Sequence, residues 1–358
     1  ATPTASSEER DEVPVTVDAG GDLSELANVG PGGPIAASAG GVVFITKDDR
    51  VSLAPLGKKP GSFAATKEAK DQFTIARGPS VAGDHAYWIS SGRLVRRKLT
   101  GGALEVLAQG ARSGTRVTAL PKSDKRPAAV AYVGAGITAD ARGAAYLWVE
   151  GSEPVVVSPE GSAASSVSLA ATEDALFVAA LEGRTGMTPV HVREVTLRDG
   201  KPKLEEDVVV WIGGPAQSLT EVTATSVEGE LHALIPLERD ITRFGLAGVR
   251  VGAVPKMGAP VVWRPYPNGL DPAPVAVSSG CGRSYVVYAR PAEARPRSPQ
   301  ELHIAKLTAS GLGPSSVLAR ASAFANVSAA ESPHGVLVAY VADFRSWARV
   351  YSCEAVKR

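Results

Sequence analysis

The chain lacks the sequence signals of three large classes of protein. No stretch approaches 18 consecutive apolar residues, so no transmembrane helix is predicted. Its 38 lysines and arginines nearly balance 37 acidic residues, and a chain with no overall basic field is not expected to bind nucleic acid. Helical periodicity is nearly absent along the chain, which excludes a bundle of amphipathic helices.

Motifs of metal and nucleophilic chemistry are also missing. No histidine pair has zincin or His-x-His spacing, no carboxylate cluster accompanies them, and there is no Gly-x-Ser-x-Gly elbow. The glycine-rich stretches do not precede helices, so they are not phosphate-binding loops. We therefore expect no metal, no cofactor and no catalytic residue. The five histidines are His85, His191, His232, His303 and His334.

What the sequence does contain is a unit that recurs roughly every fifty residues, a period typical of solenoids, propellers and arrays. The unit is a small apolar strand, a tight turn with Gly or Asp, a very apolar strand, a polar loop and a third strand. Residues 35–44, 81–88, 167–177 and 275–285 show its first half most clearly. Two histidine pairs, His191 with His303 and His85 with His334, occupy equivalent places in this unit, which indicates inherited structure rather than catalysis.

Seven strongly apolar segments fit the second strand of the unit, as expected of strands buried on both faces between neighbouring blades. They centre on Phe44, Tyr87, 130–132, Phe177, Leu234, Val287 and Val338. A last strand recurs at 73–75, 106–107, 155–157, 208–210, 261–263 and 317–318. The pattern predicts an all-β fold, a single seven-bladed β-propeller of four-stranded antiparallel blades. Six or eight blades are the alternatives, because residues 113–150 are the least regular unit.

The missing seventh last strand is expected at the start of the chain. Residues 12–18 resemble other last strands such as 153–158, and a strand there would complete the final blade and remove its open edges. Residues 1–11 are small, polar and charged and are expected to form a flexible tether, with the propeller spanning 12–358. The predicted blades are 28–77, 78–112, 113–160, 161–215, 216–266, 267–322, and 323–356 together with 12–18.

One predicted blade resembles a known repeat family. Residues 83–102 are similar to the strand–turn–strand unit of YWTD-like propeller repeats, with Tyr87 and Trp88 as its central pair. The Thr-Asp that defines that family after Tyr-Trp is replaced here by Ile89 and Ser90. The resemblance covers about twenty residues; it implies the propeller fold and no activity.

The two cysteines, Cys281 and Cys353, fall on the same face of adjacent predicted blades. An even number of cysteines in an exported chain permits a disulfide, and this placement allows the required Cα separation. Two free buried thiols are the alternative. The chain opens on Ala1 and a polar tether, which favours a mature exported protein in the periplasm, at the cell surface or secreted, and a lipid-anchored lipoprotein is one form of this.

Long loops on a rigid scaffold are the usual place for binding residues. The predicted connections between second and third strands lengthen in the second half of the chain, at 134–143, 182–189, 238–248 and 290–300. Arginines there could bind carboxylates or an acidic patch, and aromatic side chains could form a sugar platform or a protein hot spot. The candidate binding residues are Arg184, Arg239, Arg243, Phe244, Arg290, Arg295, Arg297, Phe344 and Trp347.

These features favour a non-enzymatic protein-interaction scaffold in the bacterial cell envelope. The first alternative is a carbohydrate-binding propeller, which should repeat aromatic and polar residues from blade to blade, and such regularity is not evident. The second is a glycosidase or lyase that uses carboxylates around a central funnel. Asp140, Asp240 and Asp343 are the loop acids that could supply them.

Overall fold

The computed structural model describes most of the chain, and its helix and strands are named here by their residue bounds. The described residues are 24–28, 35–45, 50–58, 62–64, 67–72, 79–113, 115–135, 143–173, 175–183, 188–213, 221–240, 243–252, 261–267, 275–293, 298–343 and 345–357. Within these ranges no helix has the length and apolarity needed to cross a membrane.

The described strands form seven four-stranded antiparallel sheets, which we number in chain order. Sheet 1 contains β2 (Ile35–Ser38), β3 (Gly41–Ile45), β4 (Arg50–Pro55) and β5 (Lys67–Gln72). Sheet 2 contains β6 (Ser80–Ala82), β7 (His85–Ser90), β8 (Arg93–Lys98) and β9 (Glu105–Gln109). Sheet 3 contains β10 (Thr118–Leu120), β11 (Ala129–Gly134), β12 (Ala144–Val149) and β13 (Val155–Val156). Sheet 4 contains β14 (Ala164–Ala171), β15 (Leu176–Glu182), β16 (Thr188–Arg198) and β17 (Lys201–Gly213).

The remaining sheets have longer strands on average. Sheet 5 contains β18 (Thr223–Val227), β19 (Glu230–Asp240), β20 (Arg243–Gly252) and β21 (Val261–Pro267). Sheet 6 contains β22 (Val275–Gly280), β23 (Arg283–Pro291), β24 (Gln300–Thr308) and β25 (Gly311–Ala321). Sheet 7 contains β26 (Phe324–Ser332), β27 (Gly335–Ala342), β28 (Arg345–Tyr351) and the first described strand, β1 (Ser24–Asn28). The one described helix, α1 (Cys353–Lys357), follows β28.

The first strands of the sheets line a central axis. β2, β6, β10, β14, β18, β22 and β26 contact one another in this order, and β26 contacts β2 again. Every predicted second-strand centre lies in the second strand of a sheet, since β3, β7, β11, β15, β19, β23 and β27 contain them all. β11, β15 and β27 are buried at every position, which explains their continuous apolar sequence.

The hydrophobic core lies between neighbouring sheets. Separate clusters join sheets 1 and 2, 2 and 3, 3 and 4, 4 and 5, and 7 and 1. The largest cluster joins sheets 5, 6 and 7 and includes Leu234, Tyr288 and Tyr351. Because each sheet packs on two neighbours, the sheets depend on one another for burial of their apolar faces.

Sheet 7 is completed by residues from the opposite end of the chain. β1 pairs antiparallel with β28, with Ser24 opposite Ala348 and Asn28 opposite Arg345. Closure by an N-terminal strand was expected at 12–18, and these residues lie outside the described part of the chain. The strand that pairs with β28 is Ser24–Asn28, a segment without β-branched residues that carries little strand signal of its own.

Strand order gives the molecule two distinct faces. In an antiparallel sheet of sequential strands, the first-to-second and third-to-fourth turns lie at one end, and the second-to-third loops and inter-sheet connections lie at the other. We call these ends the turn face and the loop face.

The predicted last strand at 73–75 lies outside the described residues. The fourth strand of sheet 1 is β5, which has the polar sequence Lys-Glu-Ala-Lys-Asp-Gln.

A turn on the turn face recurs in sheets 1 and 7. In each, a serine hydroxyl donates to the carbonyl of a glycine three residues later, Ser38 to Gly41 and Ser332 to Gly335, both at 3.1 Å. The serine oxygen also accepts a backbone N–H within the turn. Both glycines have a positive φ, 147° and 143°, and each lies against a backbone carbonyl of the third strand. The two turns are copies of one structural solution.

Arg96 links sheet 2 to sheet 3. Its guanidinium donates to Glu105 at 2.7 Å on the neighbouring strand and to Glu150 at 2.9 Å beyond β12, and it lies over the ring of Trp148. Burial alone would lower the pKa of Arg96, but the hydrogen bonds with the two carboxylates outweigh it and the pKa is raised. This arginine is therefore a charged joint between two sheets.

The predicted disulfide is confirmed. Cys281 and Cys353 are bonded with a Cα–Cα distance of 5.4 Å and close a loop of 72 residues. Cys281 lies in the two-residue turn between β22 and β23, and Cys353 begins α1. The bond therefore fastens the turn face of sheet 6 to the end of sheet 7, and the alternative of two free thiols is excluded.

Candidate functional site

A channel runs along the central axis. It encloses about 760 Å³ and is lined by the first strands of sheets 1, 2, 3, 4, 5 and 7. Small side chains dominate the lining, chiefly alanine, serine, threonine and valine. Because the lining side chains are short and the serines and threonines among them carry hydroxyl groups, the channel favours hydrogen-bonding ligands over large apolar ones.

Serine hydroxyls join neighbouring sheets along this channel. The hydroxyl oxygen of Ser80 accepts the backbone N–H of Ala119 at 3.0 Å, and that of Ser168 accepts the N–H of Ala224 at 2.8 Å. Ser166 and Ser328 do the same for the next sheet, at 3.4 and 3.0 Å. All four serines line the channel. The exposed inner edge of one first strand is thus satisfied by a side chain from the sheet before it.

Ion pairs lie at both ends of the channel. At the loop face, Arg116 contacts Glu221 at 3.3 Å across sheets 3 and 5, with each side chain 28% exposed. At the turn face, Lys125 pairs with Glu173 between the turns of sheets 3 and 4. Both pairs are internally neutral, so neither supplies an uncompensated charge to a ligand.

Arg126 is the exception at the turn face. Its Nη1 donates to the carbonyl oxygen of Thr172 at 3.5 Å, and its buried Nε has no hydrogen-bond partner among the described residues. Burial lowers the pKa of Arg126, and no carboxylate raises it. The side chain lines the channel. It is a partly desolvated cation to which no described residue supplies a counter-charge.

A buried histidine lies between two carboxylates in sheet 4. His191 Nδ1 is 2.6 Å from Asp207 and Nε2 is 3.1 Å from Glu182, whose side chain is only 2% exposed. Both contacts are hydrogen bonds when the ring has a proton on each nitrogen, since carboxylate oxygens only accept. The guanidinium of Arg193 lies 3.7 Å from Asp207. Neither ring nitrogen is left to act on a substrate.

Sheet 6 repeats this arrangement with different chemistry. His303 occupies the position of His191, as the sequence repeat predicted. In each sheet, the residue that contacts Nε2 lies on the second strand, two positions after the residue that pairs with the histidine. Nε2 of His303 accepts from Arg290 Nε at 3.1 Å, where His191 faces Glu182, and its Nδ1 contacts Ser315 at 3.1 Å, where His191 faces Asp207. Arg290 and Ser315 thus stand where sheet 4 has its two acids, but one carboxylate remains in sheet 6, because Nε2 of His303 is also 3.2 Å from Glu301.

Replacement of His191 by asparagine is expected to lower the free energy of unfolding by about 2 kcal/mol, because the carboxylates of Glu182 and Asp207 would lose the ring that contacts both of them. Chemical denaturation measures the loss. The matched control is His334→Asn, which changes an exposed turn residue and should cost less than about 0.5 kcal/mol. Equal stability of the two variants would show that the His191 cluster contributes nothing to the fold.

The structure describes only some of the predicted binding residues. Arg290 donates to His303 and contributes to the sheet 6 network, so it is not an unengaged arginine at the mouth of the channel. Trp347 is half-buried in β28 and packs against the core of sheets 5, 6 and 7. Arg239, Arg243 and Phe244 lie in β19 and β20, and only the backbone of these three residues is described. The predicted residues outside the described part of the chain are Arg184, Arg295, Arg297 and Phe344.

Of the three loop acids that a glycosidase or lyase would use, only Asp343 has a described side chain, and it does not line the channel. Asp343 accepts a hydrogen bond from Ser322 at the loop face, and Asp240 lies in β19 opposite Arg243. Asp140 lies outside the described residues. Of the described residues, the acids that do line the channel are Asp124, Glu173 and Glu221, and the last two are ion-paired. Within the described ranges no cluster could hold a metal ion.

Sequence reasoning missed the channel residues. Ser80, Ser168 and Ser328 recur in first strands, and aligning the repeats on these strands would have revealed them. Arg116, Glu221 and Arg126 carry no repeat signal, because each lies in a connection or turn of irregular length. Only the closed arrangement of the strands brings them to one axis.

Comparison with known proteins supports the fold. No protein-family model and no curated protein matches the chain. Among solved structures, the chain is similar to the β-propeller domain of Cps50 (Swd1) from Myceliophteria thermophila, with a TM-score of 0.54 and 11% sequence identity over 95% of this chain and all of that one. The predicted all-β propeller fold is therefore confirmed. At this identity the likeness shows the fold alone, and the YWTD-like character of residues 83–102 stays a prediction.

Proposed function

We propose that this chain is a non-enzymatic protein-interaction scaffold of the bacterial cell envelope, built as one closed ring in which each of the seven sheets is a blade. The observation that carries this proposal is a hairpin of sheet 5 that projects from the loop face. β18 begins opposite Leu234, whereas β19 continues to Asp240, six residues further. Six strand residues span about 20 Å, so the hairpin stands well above the end of its own first strand.

The projecting hairpin contains three of the predicted binding residues. Arg239 lies near its tip, Arg243 pairs opposite Asp240, and Phe244 pairs opposite Glu238. A paired backbone outside the core of the ring, rich in arginine with an aromatic residue, has the composition of protein hot spots. The hairpin is held by β21 along one side, which limits the entropy lost when a partner binds.

Two further observations favour a scaffold. Both ring nitrogens of His191 are engaged by carboxylates, and Nε2 of His303 accepts from Arg290, which supports a structural role for these two histidines. The disulfide between Cys281 and Cys353 supports an extracytoplasmic location, in the periplasm or at the cell surface, because such bonds persist in oxidising compartments.

Charge reversal on the loop face tests this function. The double variant Arg243→Glu/Arg295→Glu should weaken partner capture at least about tenfold while leaving thermal unfolding unchanged, because the residues are expected at the interface rather than in the core. The matched control is Arg198→Glu/Lys201→Glu, which makes the same change of charge on the turn face at the end of β16 and the start of β17.

The partner itself is found by cross-linking in the cells that make the protein. A photoreactive residue at position 239 should attach one dominant protein, and the same residue at position 198 should not. Capture that is unchanged by the loop-face reversal, or equal at the two positions, contradicts the proposal. Attachment of glycan in place of protein would favour the carbohydrate-binding alternative.

A further inference from the structure

The turn-face end of the channel holds a cation that nothing in the described structure neutralises. Arg126 lies in the turn between β10 and β11, where its backbone pairs with Ser123. The nearest acids do not serve it, since Glu173 pairs with Lys125 and Asp124 is exposed and makes no ion pair among the described residues. A guanidinium keeps its proton at any physiological pH, so burial without a counter-ion leaves its charge uncompensated.

The channel behind Arg126 is rich in unused hydrogen-bond donors. Ser80, Ser166, Ser168 and Ser328 each use the hydroxyl oxygen to accept a backbone N–H from the next sheet. In the described part of the chain no acceptor is recorded for their hydroxyl hydrogens. A hydroxyl that accepts from the backbone still has one hydrogen to donate. Four donors without acceptors therefore line the channel.

The ligand that satisfies both features carries one negative charge and several acceptor oxygens. One guanidinium balances one anionic group, and the serine hydroxyls suit neutral oxygens along the rest of the molecule. An inorganic ion would satisfy the cation but would leave the serine hydroxyls along the channel without an acceptor. The loop-face end offers no rival site, because Arg116 is already paired with Glu221 at 3.3 Å.

We infer that the central channel binds a small organic monocarboxylate rich in hydroxyl or carbonyl oxygens, with its carboxylate at Arg126 and its other oxygens on the serine hydroxyls. A sugar acid has this chemistry. The site lies at the opposite end of the ring from the projecting hairpin of sheet 5, so it is independent of the interaction proposed for the loop face.

Calorimetric titration of the whole protein tests this site with three probes. Glucuronate carries the carboxylate and the hydroxyls, glucose carries hydroxyls of the same ring without the charge, and inorganic phosphate carries charge without the ring. Glucuronate is expected to bind at least about tenfold more tightly than either of the other two. Equal affinity for glucuronate and glucose, no binding of glucuronate, or equal affinity for phosphate would overturn the inference.

Variants then assign the binding to Arg126. Arg126→Gln should weaken glucuronate binding at least about tenfold, and Arg126→Lys should recover part of it because the charge returns. Lys122→Gln removes one positive charge from the same hairpin but from outside the channel lining, and it should change affinity less than about twofold. Arg116→Gln tests the loop-face end. If Arg126→Gln binds glucuronate as the unmodified protein does, or if Arg116→Gln alone abolishes binding, the assignment is wrong.

Discussion

Replacement of Cys281 and Cys353 together by serine is expected to lower the free energy of unfolding by about 4 kcal/mol. The disulfide closes a loop of 72 residues, and a cross-link of this span removes much of the conformational freedom of the unfolded chain. It also fastens the turn between β22 and β23 to the residues that follow β28, next to the sheet that closes the ring. Denaturant titration of the purified protein measures the change.

The reduced protein provides the control for this effect. Reduction of the unmodified protein should cause the same loss as the double variant, and reductant should leave the double variant unchanged. Serine at position 281 must adopt the backbone φ of 54° that Cys281 already has, so the substitution adds no new backbone strain. A loss below about 1 kcal/mol would mean that the unfolded chain is already restricted without the bond.

Replacement of Gly335 by alanine is expected to cost about 3 kcal/mol or more, the second large effect. A Cβ at this position would overlap the carbonyl oxygen of Tyr351 on the third strand of sheet 7, and a φ of 143° is unfavourable for any residue with a side chain. Both strands belong to the core of sheet 7 and cannot separate without loss of packing. Thermal and denaturant unfolding should both shift.

Gly229 is the matched control. It lies in the equivalent first-to-second turn of sheet 5 with a φ of 81°, and no heavy atom lies within 4 Å of a Cβ built there. Gly229→Ala should therefore cost only about 1 kcal/mol, the strain of the left-handed backbone alone. If both variants lose the same stability, the close approach at Gly335 is relieved by a shift of β28 and the turn is not a fixed element.

The second strands could be predicted from the sequence because burial on both faces leaves a continuous apolar run. Phe44, Tyr87 and Phe177 lie in such runs, and each is buried in the second strand of its sheet. The equivalence of His191 and His303 was also visible, and each is the fourth residue of its third strand. Both predictions rest on local sequence patterns, the apolar run of a buried strand and the repeated unit.

The channel could not be predicted in the same way. Arg116 and Glu221 are 105 residues apart in sequence, and Lys125 and Glu173 are 48 apart. Their pairing depends on how the sheets are arranged about the central axis. The strands at the ring's outer edge were also harder to place, because β5 and β1 are polar or small and lack the apolar pattern of buried strands. Edge positions place few demands on composition.

The pairing of β1 with β28 has a consequence for biosynthesis. β1 is synthesised long before β28, and contacts between strands so far apart in sequence form slowly. Until they meet, β28 presents an open row of backbone donors and acceptors, the kind of edge along which chains join one another. The β1 of a second molecule has the same sequence and fits that edge as well. Slow maturation at high concentration therefore favours strand-exchanged dimers, in which each ring is closed by its neighbour's first strand.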